Sequence, residues 1–114
     1  GSGAYDGKIN GGFYDGTWRL TAGFTPVVNT WYQCAITYDG TTIIQYTNGA
    51  QENTKTPAAP NIGSSTSRNF LMRRWDDVNF VDGRLSIVRI YDRALSSNEI
   101  KTNYHCTKTR YGLT

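Results

Sequence analysis

Only two of the 114 residues are cysteine, three are proline, two are glutamate and one is histidine. Two cysteines, Cys34 and Cys106, do not make the disulfide framework of a small stapled domain. Cys34 alternates with Ile36 and Tyr38 in a strand-like run where any small apolar side chain serves as well, so two reduced thiols are expected. With glutamate only at 52 and 99, carboxylate pairs for acid/base work are scarce. The lone His105 falls near the end of an expected helix, where a solvated, dipole-facing role outweighs catalysis. No apolar run approaches the ~20 residues that a membrane span needs, and Gly1-Ser2-Gly3 has neither the charged head nor the apolar stretch of a signal peptide. Because the chain starts with Gly, it is expected to be an excised or processed piece of a larger polypeptide.

What is present is the balance of one globular domain over 1–114: 38% hydrophobic, 13% aromatic and 18% charged residues, with 12 glycines. At this length a single core forms without metal or disulfide. The net charge of +3 is uneven: residues 1–67 hold 3 basic against 4 acidic side chains, and residues 68–114 hold 9 against 5. The basic residues Arg73 and Arg74 are followed by Trp75, Asp76 and Asp77 rather than forming a stripe, which favours local pairing over nucleic-acid binding.

Turn dipeptides are dense and regularly spaced: Asp6-Gly7, Asn10-Gly11, Asp15-Gly16, Asp39-Gly40, Asn48-Gly49 and Asp82-Gly83. Between them lie Thr17–Ala22, Thr30–Tyr38, Thr42–Thr47, Asn69–Trp75 and Arg84–Tyr91, all rich in β-branched or aromatic residues. The chain therefore reads as all-β and antiparallel. Arg84–Tyr91 carries apolar residues on both faces, as a central strand would, and strands covered on both sides imply a two-sheet sandwich. Trp31 and Tyr38 are expected in its core. One helix is signalled by Ser96-Ser97-Asn98-Glu99, a capping box in which Ser96 accepts from the Glu99 amide and Glu99 reaches back to the Ser96 amide. Leu95 can staple onto Ile100, and Ile100 with Tyr104 forms one apolar face. Residues 55–67, with Pro57 and Pro60, read as loop.

Four segments in order resemble the laminin G-like branch of the concanavalin A-like lectin/glucanase superfamily: residues 29–40 (NTWYQCAITYDG), 46–49 (YTNG), 80–95 (FVDGRLSIVRIYDRAL), and then Glu99, Ile100 and Tyr104. The resemblance covers roughly residues 29–105 and implies an antiparallel jelly-roll sandwich with a short C-terminal helix. The tail from Asn103 to Leu113 is similar to the ends of laminin G-like modules in virion proteins of phages and large viruses. Two departures stand out. The family has more strands ahead of Trp31 than 30 residues supply, and Gln45 and Thr47 stand where the second hairpin strand usually carries apolar residues. The missing strands are expected from a preceding part of the polypeptide or from a neighbouring subunit, hence an oligomeric context among virion subunits.

Glucanases within the superfamily place catalytic carboxylates in a Glu-x-Asp-x-x-Glu pattern that this chain does not have, and Glu99 is explained as a cap, so no enzyme is expected. Laminin G-like domains often hold Ca²⁺ through loop oxygens, and Asp76, Asp77 and Asp82 are the local acidic cluster for such a site, although no consensus spacing singles them out; plain loop solvation is the competing explanation. A sugar site needs an aromatic platform beside polar groups. Arg74, Trp75, Asp76, Asp77 and Asn79 have that composition, and Tyr14 with Trp18 offers a second platform, although a tryptophan in a small sandwich is more often core. The expected function is a non-catalytic module of a virion protein that adheres to host-surface glycan; the alternative is an assembly module that binds no glycan.

Overall fold

A computed structural model of the chain describes residues 7–63 and 83–113. Its described residues are mostly β with one C-terminal helix, in two antiparallel sheets. The first sheet is a ribbon of β1 (Gly12–Tyr14) and β2 (Trp18–Leu20), with Tyr14 opposite Trp18. The second has the order β3-β4-β5, from β3 (Cys34–Tyr38), β4 (Ile43–Thr47) and β5 (Ala50–Lys55). The expected strands over 17–22, 30–38 and 42–47 correspond to β2, β3 and β4, each shorter than expected. β1 and β5 were not legible from pattern. β1 is three residues long, and the polar AQENTK of β5 becomes a strand because the Asn48-Gly49 turn folds it back onto β4.

That turn has positive φ at both positions, 51° at Asn48 and 79° at Gly49, the conformation that matches the twist of a two-residue hairpin. Asn48 also ties the strand entry, its N–H donating to the Gln33 carbonyl at 2.8 Å and its Oδ1 accepting from the Gln33 N–H at 2.9 Å. Gly49 has a second constraint: a Cβ there would stand 2.9 Å from Cδ2 of Tyr104, so the helix packs directly against the turn.

Successive residues of β4 serve the two faces of the second sheet. On one face Tyr46 joins Leu95 and Ile100 in the buried cluster, with Ala35 and Ile44 packed against it. This is where helix α1 (Ser97–Thr107) docks, through the buried Ile100 and Tyr104. The capping box forms as expected: Ser96 Oγ accepts from the Glu99 N–H at 3.2 Å and the Glu99 carboxylate accepts from the Ser96 N–H at 3.0 Å. Arg93 adds a guanidinium, Nη1 donating to Glu99 Oε1 at 2.9 Å. A 3₁₀ turn, Lys108–Tyr111, closes the chain.

The other face carries Ile43 and Gln45, both fully buried. Gln45, which stood out as polar at an expected apolar position, joins the two sheets. Its Nε2 donates to the Ile9 carbonyl at 2.9 Å, and its Oε1 accepts from the buried Thr21 hydroxyl at 2.6 Å. Its cross-strand partner Asn53 repeats the device: Nδ2 donates to the Gly23 carbonyl at 3.2 Å, and Oδ1 accepts from the Gly23 N–H at 3.5 Å. The approach is close enough that a Cβ on Gly23, whose φ is +78°, would meet the Ile9 carbonyl oxygen at 2.6 Å. Phe13 then packs on Tyr38 with ring centroids 4.9 Å apart.

Three expectations are corrected. Arg84–Tyr91 is not a strand, and Leu85, Ile87, Val88, Ile90 and Tyr91 are exposed, Ile90 to 90%. A strand exists only where a neighbour meets its N–H and C=O groups, and no described segment pairs with it. Trp31, expected in the core, is 38% exposed, and Ile36 on β3 is 43% exposed, because a cleft lies along β3 where a covering layer was expected. The expected two-sheet sandwich is only partly built among the described residues, from one sheet of two strands and one of three. The expected strand Asn69–Trp75 lies outside the described residues.

Two predictions follow from these contacts. Replacing Gln45 by Leu strips the Thr21 hydroxyl and the Ile9 carbonyl of a buried partner and destabilises the fold by about 1–3 kcal/mol in chemical denaturation. Gln45→Leu combined with Thr21→Val costs less than the sum of the single changes, since both remove one interaction.

The second concerns acid. Hydrogen bonds from Arg93 and then from the Ser96 amide hold the Glu99 carboxyl down to about 2. A depressed carboxyl contributes stability that is complete above its ordinary value of 4.5 and is lost as pH falls towards 2. The melting-temperature gap between the parent and Glu99→Gln is therefore widest near neutrality and closes across that acid window.

Candidate functional site

The outward surface of the β1–β2 ribbon carries the first candidate. Strand alternation turns Phe13 inward onto Tyr38 and leaves Tyr14 and Trp18 facing out, 62% and 59% exposed. As cross-strand partners their rings pack at 4.9 Å between centroids with an interplanar angle of 52°. Tilted aromatic pairs of this kind hold each other in place and keep their outer faces open to a ligand.

The hairpin beneath is fastened by Asp15. Its Oδ1 accepts from the Thr17 N–H at 3.2 Å and from Arg19 Nε at 3.1 Å, and its Oδ2 accepts from the Asn61 N–H at 2.9 Å. The Asn61 amide is the largest of the influences that hold the Asp15 carboxyl below its ordinary value, with Arg19 and the Thr17 amide adding to it. One side chain thus closes the turn, orients Arg19 and ties the ribbon to the loop near residue 61. The aromatic pair stands on a pinned support.

The second feature is a cleft of 550 Å³ running along β3. Trp31, Ile36, Leu85, Ile87, Ile90 and Tyr91 give it apolar walls, and α1 contributes Ile100, Asn103 and Thr107. Arg84, Arg89 and Arg93 also line it, and no carboxylate does so among the described residues. Arg93 is engaged by Glu99, whereas Arg84 and Arg89 form no ion pair among the described residues. At one end Trp31 packs on Tyr111 at 5.1 Å, and the Tyr111 hydroxyl shares a hydrogen bond with Ser86 Oγ. That bond draws the Tyr111 hydroxyl below the usual tyrosine value, helped by Arg110 and Arg89. Arg84, Arg89 and Arg93 of the basic second half thus border one cleft, a gathering that the sequence pattern did not disclose.

Of the residues expected to bind ligand, Tyr14 and Trp18 are brought together. Arg74, Trp75, Asp76, Asp77 and Asn79, and the calcium candidates Asp76, Asp77 and Asp82, lie outside the described residues. Among the described residues no group of three or more His, Cys, Asp or Glu side chains stands close enough to hold a metal ion. Glu52 lies on β5, Glu99 at the start of α1, and His105 within α1 against Tyr104. Cys34 and Cys106 are both exposed. Local desolvation, with the Glu52 carboxylate adding to it, pushes the Cys34 thiol up from its ordinary value.

The family model described as the concanavalin A-like lectin/glucanases superfamily (Laminin_G_3) matches residues 2–101. The chain belongs to this laminin G-like family of concanavalin A-like domains. Among solved structures it is similar to an S-layer domain-containing protein from Clostridium thermocellum ATCC 27405 (residues 221–444), at 26% identity and a TM-score of 0.52. That match covers 72% of this chain and 42% of the other, so the chain spans less than half of that structure. No curated protein matches the chain.

Asp15→Ala is expected to free the hairpin. In a background where Trp31 and Trp75 are replaced by Phe, the fluorescence anisotropy of Trp18 falls relative to the same background with Asp15 intact. With Asp15 present, the same loosening sets in only as pH drops below the ordinary carboxylate value of 3.8, since its carboxyl is held beneath that value.

Proposed function

We propose that the chain is a non-catalytic, displayed module that adheres to carbohydrate through Tyr14 and Trp18. The observation that carries this reading is the exposed aromatic pair on a hairpin that Asp15 clamps from beneath. The apolar C–H face of a pyranose packs on an aromatic face, and a support that is already ordered loses little further freedom on binding. Membership of a lectin-containing superfamily favours the same chemistry. No calcium is needed for stacking, so the reading stands independently of Asp76, Asp77 and Asp82.

The setting that fits is a particle or cell surface. The similarity of the tail to virion modules supports a place among virion subunits, and the S-layer domain protein in the structural comparison is consistent with surface display in general. In either setting the module belongs to a larger polypeptide or assembly. A second reading, assembly without glycan, is favoured by the apolar side chains left open at Val28 and Ile90, which suit contact with neighbouring protein.

Glycan-array binding by the intact chain tests the first reading. Trp18→Ala should weaken the bound glycan at least about tenfold, the equivalent of losing about 1.4 kcal/mol of stacking, while the thermal melt stays cooperative. Absence of binding to any glycan, or binding indifferent to both Trp18→Ala and Tyr14→Ala, overturns it.

A further inference from the structure

The edge of β3 faces the cleft with its backbone unpaired. Asn48 N–H donates to the Gln33 carbonyl, and Cys34 stands opposite Thr47 in the β3–β4 register. In an antiparallel ladder directly bonded pairs alternate with unbonded ones. Gln33 is therefore bonded to Asn48 at the turn, and Ala35 and Thr37 to β4, whereas Cys34, Ile36 and Tyr38 turn their N–H and C=O groups outward. Among the described residues none of these outward groups has a partner. Across the cleft, Leu85, Ile87 and Ile90 are exposed, and Arg84 and Arg89 carry charge that no described carboxylate answers.

We propose that this cleft receives an extended, acidic strand of a partner protein, which adds to the sheet along β3. Three features define the occupant. A row of alternating donors and acceptors on Cys34, Ile36 and Tyr38 is met by another extended backbone and poorly by a sugar. The apolar walls from Ile36, Leu85 and Ile87 take alternate apolar side chains of that strand. The arginine side chains, in a cleft without described carboxylates, select carboxylates between them and disfavour a basic segment. The inference does not rest on the glycan reading, because Tyr14 and Trp18 are not among the residues that line the cleft.

Two short blocked peptides test it on the full chain, one alternating valine with glutamate and one alternating valine with lysine. Binding is followed by fluorescence anisotropy, and amide exchange at Cys34, Ile36 and Tyr38 by NMR. The glutamate peptide should bind about tenfold or more tighter than the lysine peptide and should slow exchange at the three amides. The double variant Arg84→Glu, Arg89→Glu should reverse that preference with its thermal melt retained. Trp18→Ala should bind the glutamate peptide as the parent does, which separates failure here from failure of the glycan reading. Binding of neither peptide, equal binding of both, or unchanged exchange at Ile36 overturns the proposal. A peptide-free dimer with the same amides protected also overturns it, assigning the edge to a second copy of the chain.

Discussion

Taking an amide out of water costs several kcal/mol unless donor and acceptor are both met, and the Gln45 side chain is wholly enclosed between the two sheets. It is met on both ends, by the Ile9 carbonyl and the Thr21 hydroxyl. A leucine there would bury as much apolar surface and say nothing about where the ribbon lies, because hydrophobic contact has no direction. The amide has direction. With Asn53 beside it on the neighbouring strand, it specifies the height and angle at which residues 9–24 cross the second sheet. Everything the ribbon presents on its outer surface inherits that specification.

The two surfaces of interest are therefore products of different physics. Tyr14 and Trp18 are displayed because no described segment layers over the outer face of the ribbon, and they are held because Asp15 gathers amide and guanidinium donors under the turn. The cleft along β3 arises where regular structure stops. Arg84–Tyr91 runs past β3 without forming a ladder, so the apolar side chains of both segments border open space. The domain thus combines a pinned, displayed aromatic pair with a sheet edge that is unpaired among the described residues.

The local parts of the fold were legible and the long-range parts were not. The helix announced itself through Ser96, Glu99, Leu95 and Ile100, because capping and stapling are contacts between residues three to five apart. The Asn48-Gly49 hairpin was equally plain, since its backbone geometry tolerates few residue types. Pairing of Arg84–Tyr91 was not plain. Apolar residues on both faces describe what a buried strand looks like without supplying the neighbour that makes it one. β5 is the converse case, a polar segment that is a strand because a tight turn delivers it to β4. Gln45 was visible as an anomaly, yet its partners at positions 9 and 21 are more than twenty residues away and no spacing rule reaches them. At the candidate site, Tyr14 and Trp18 could be paired by their hairpin register, whereas the gathering of Arg84, Arg89 and Arg93 around one cleft depends on tertiary placement.

The turn at Gly49 has a bearing beyond its own hairpin. Tyr104 rests on it with no space for even a methyl group, and the helix that carries Tyr104 also carries Ile100, Asn103 and Thr107 along the cleft wall. The bareness of a single α-carbon thus works as a machined shim between sheet and helix, setting the gauge of a groove whose lining it never touches.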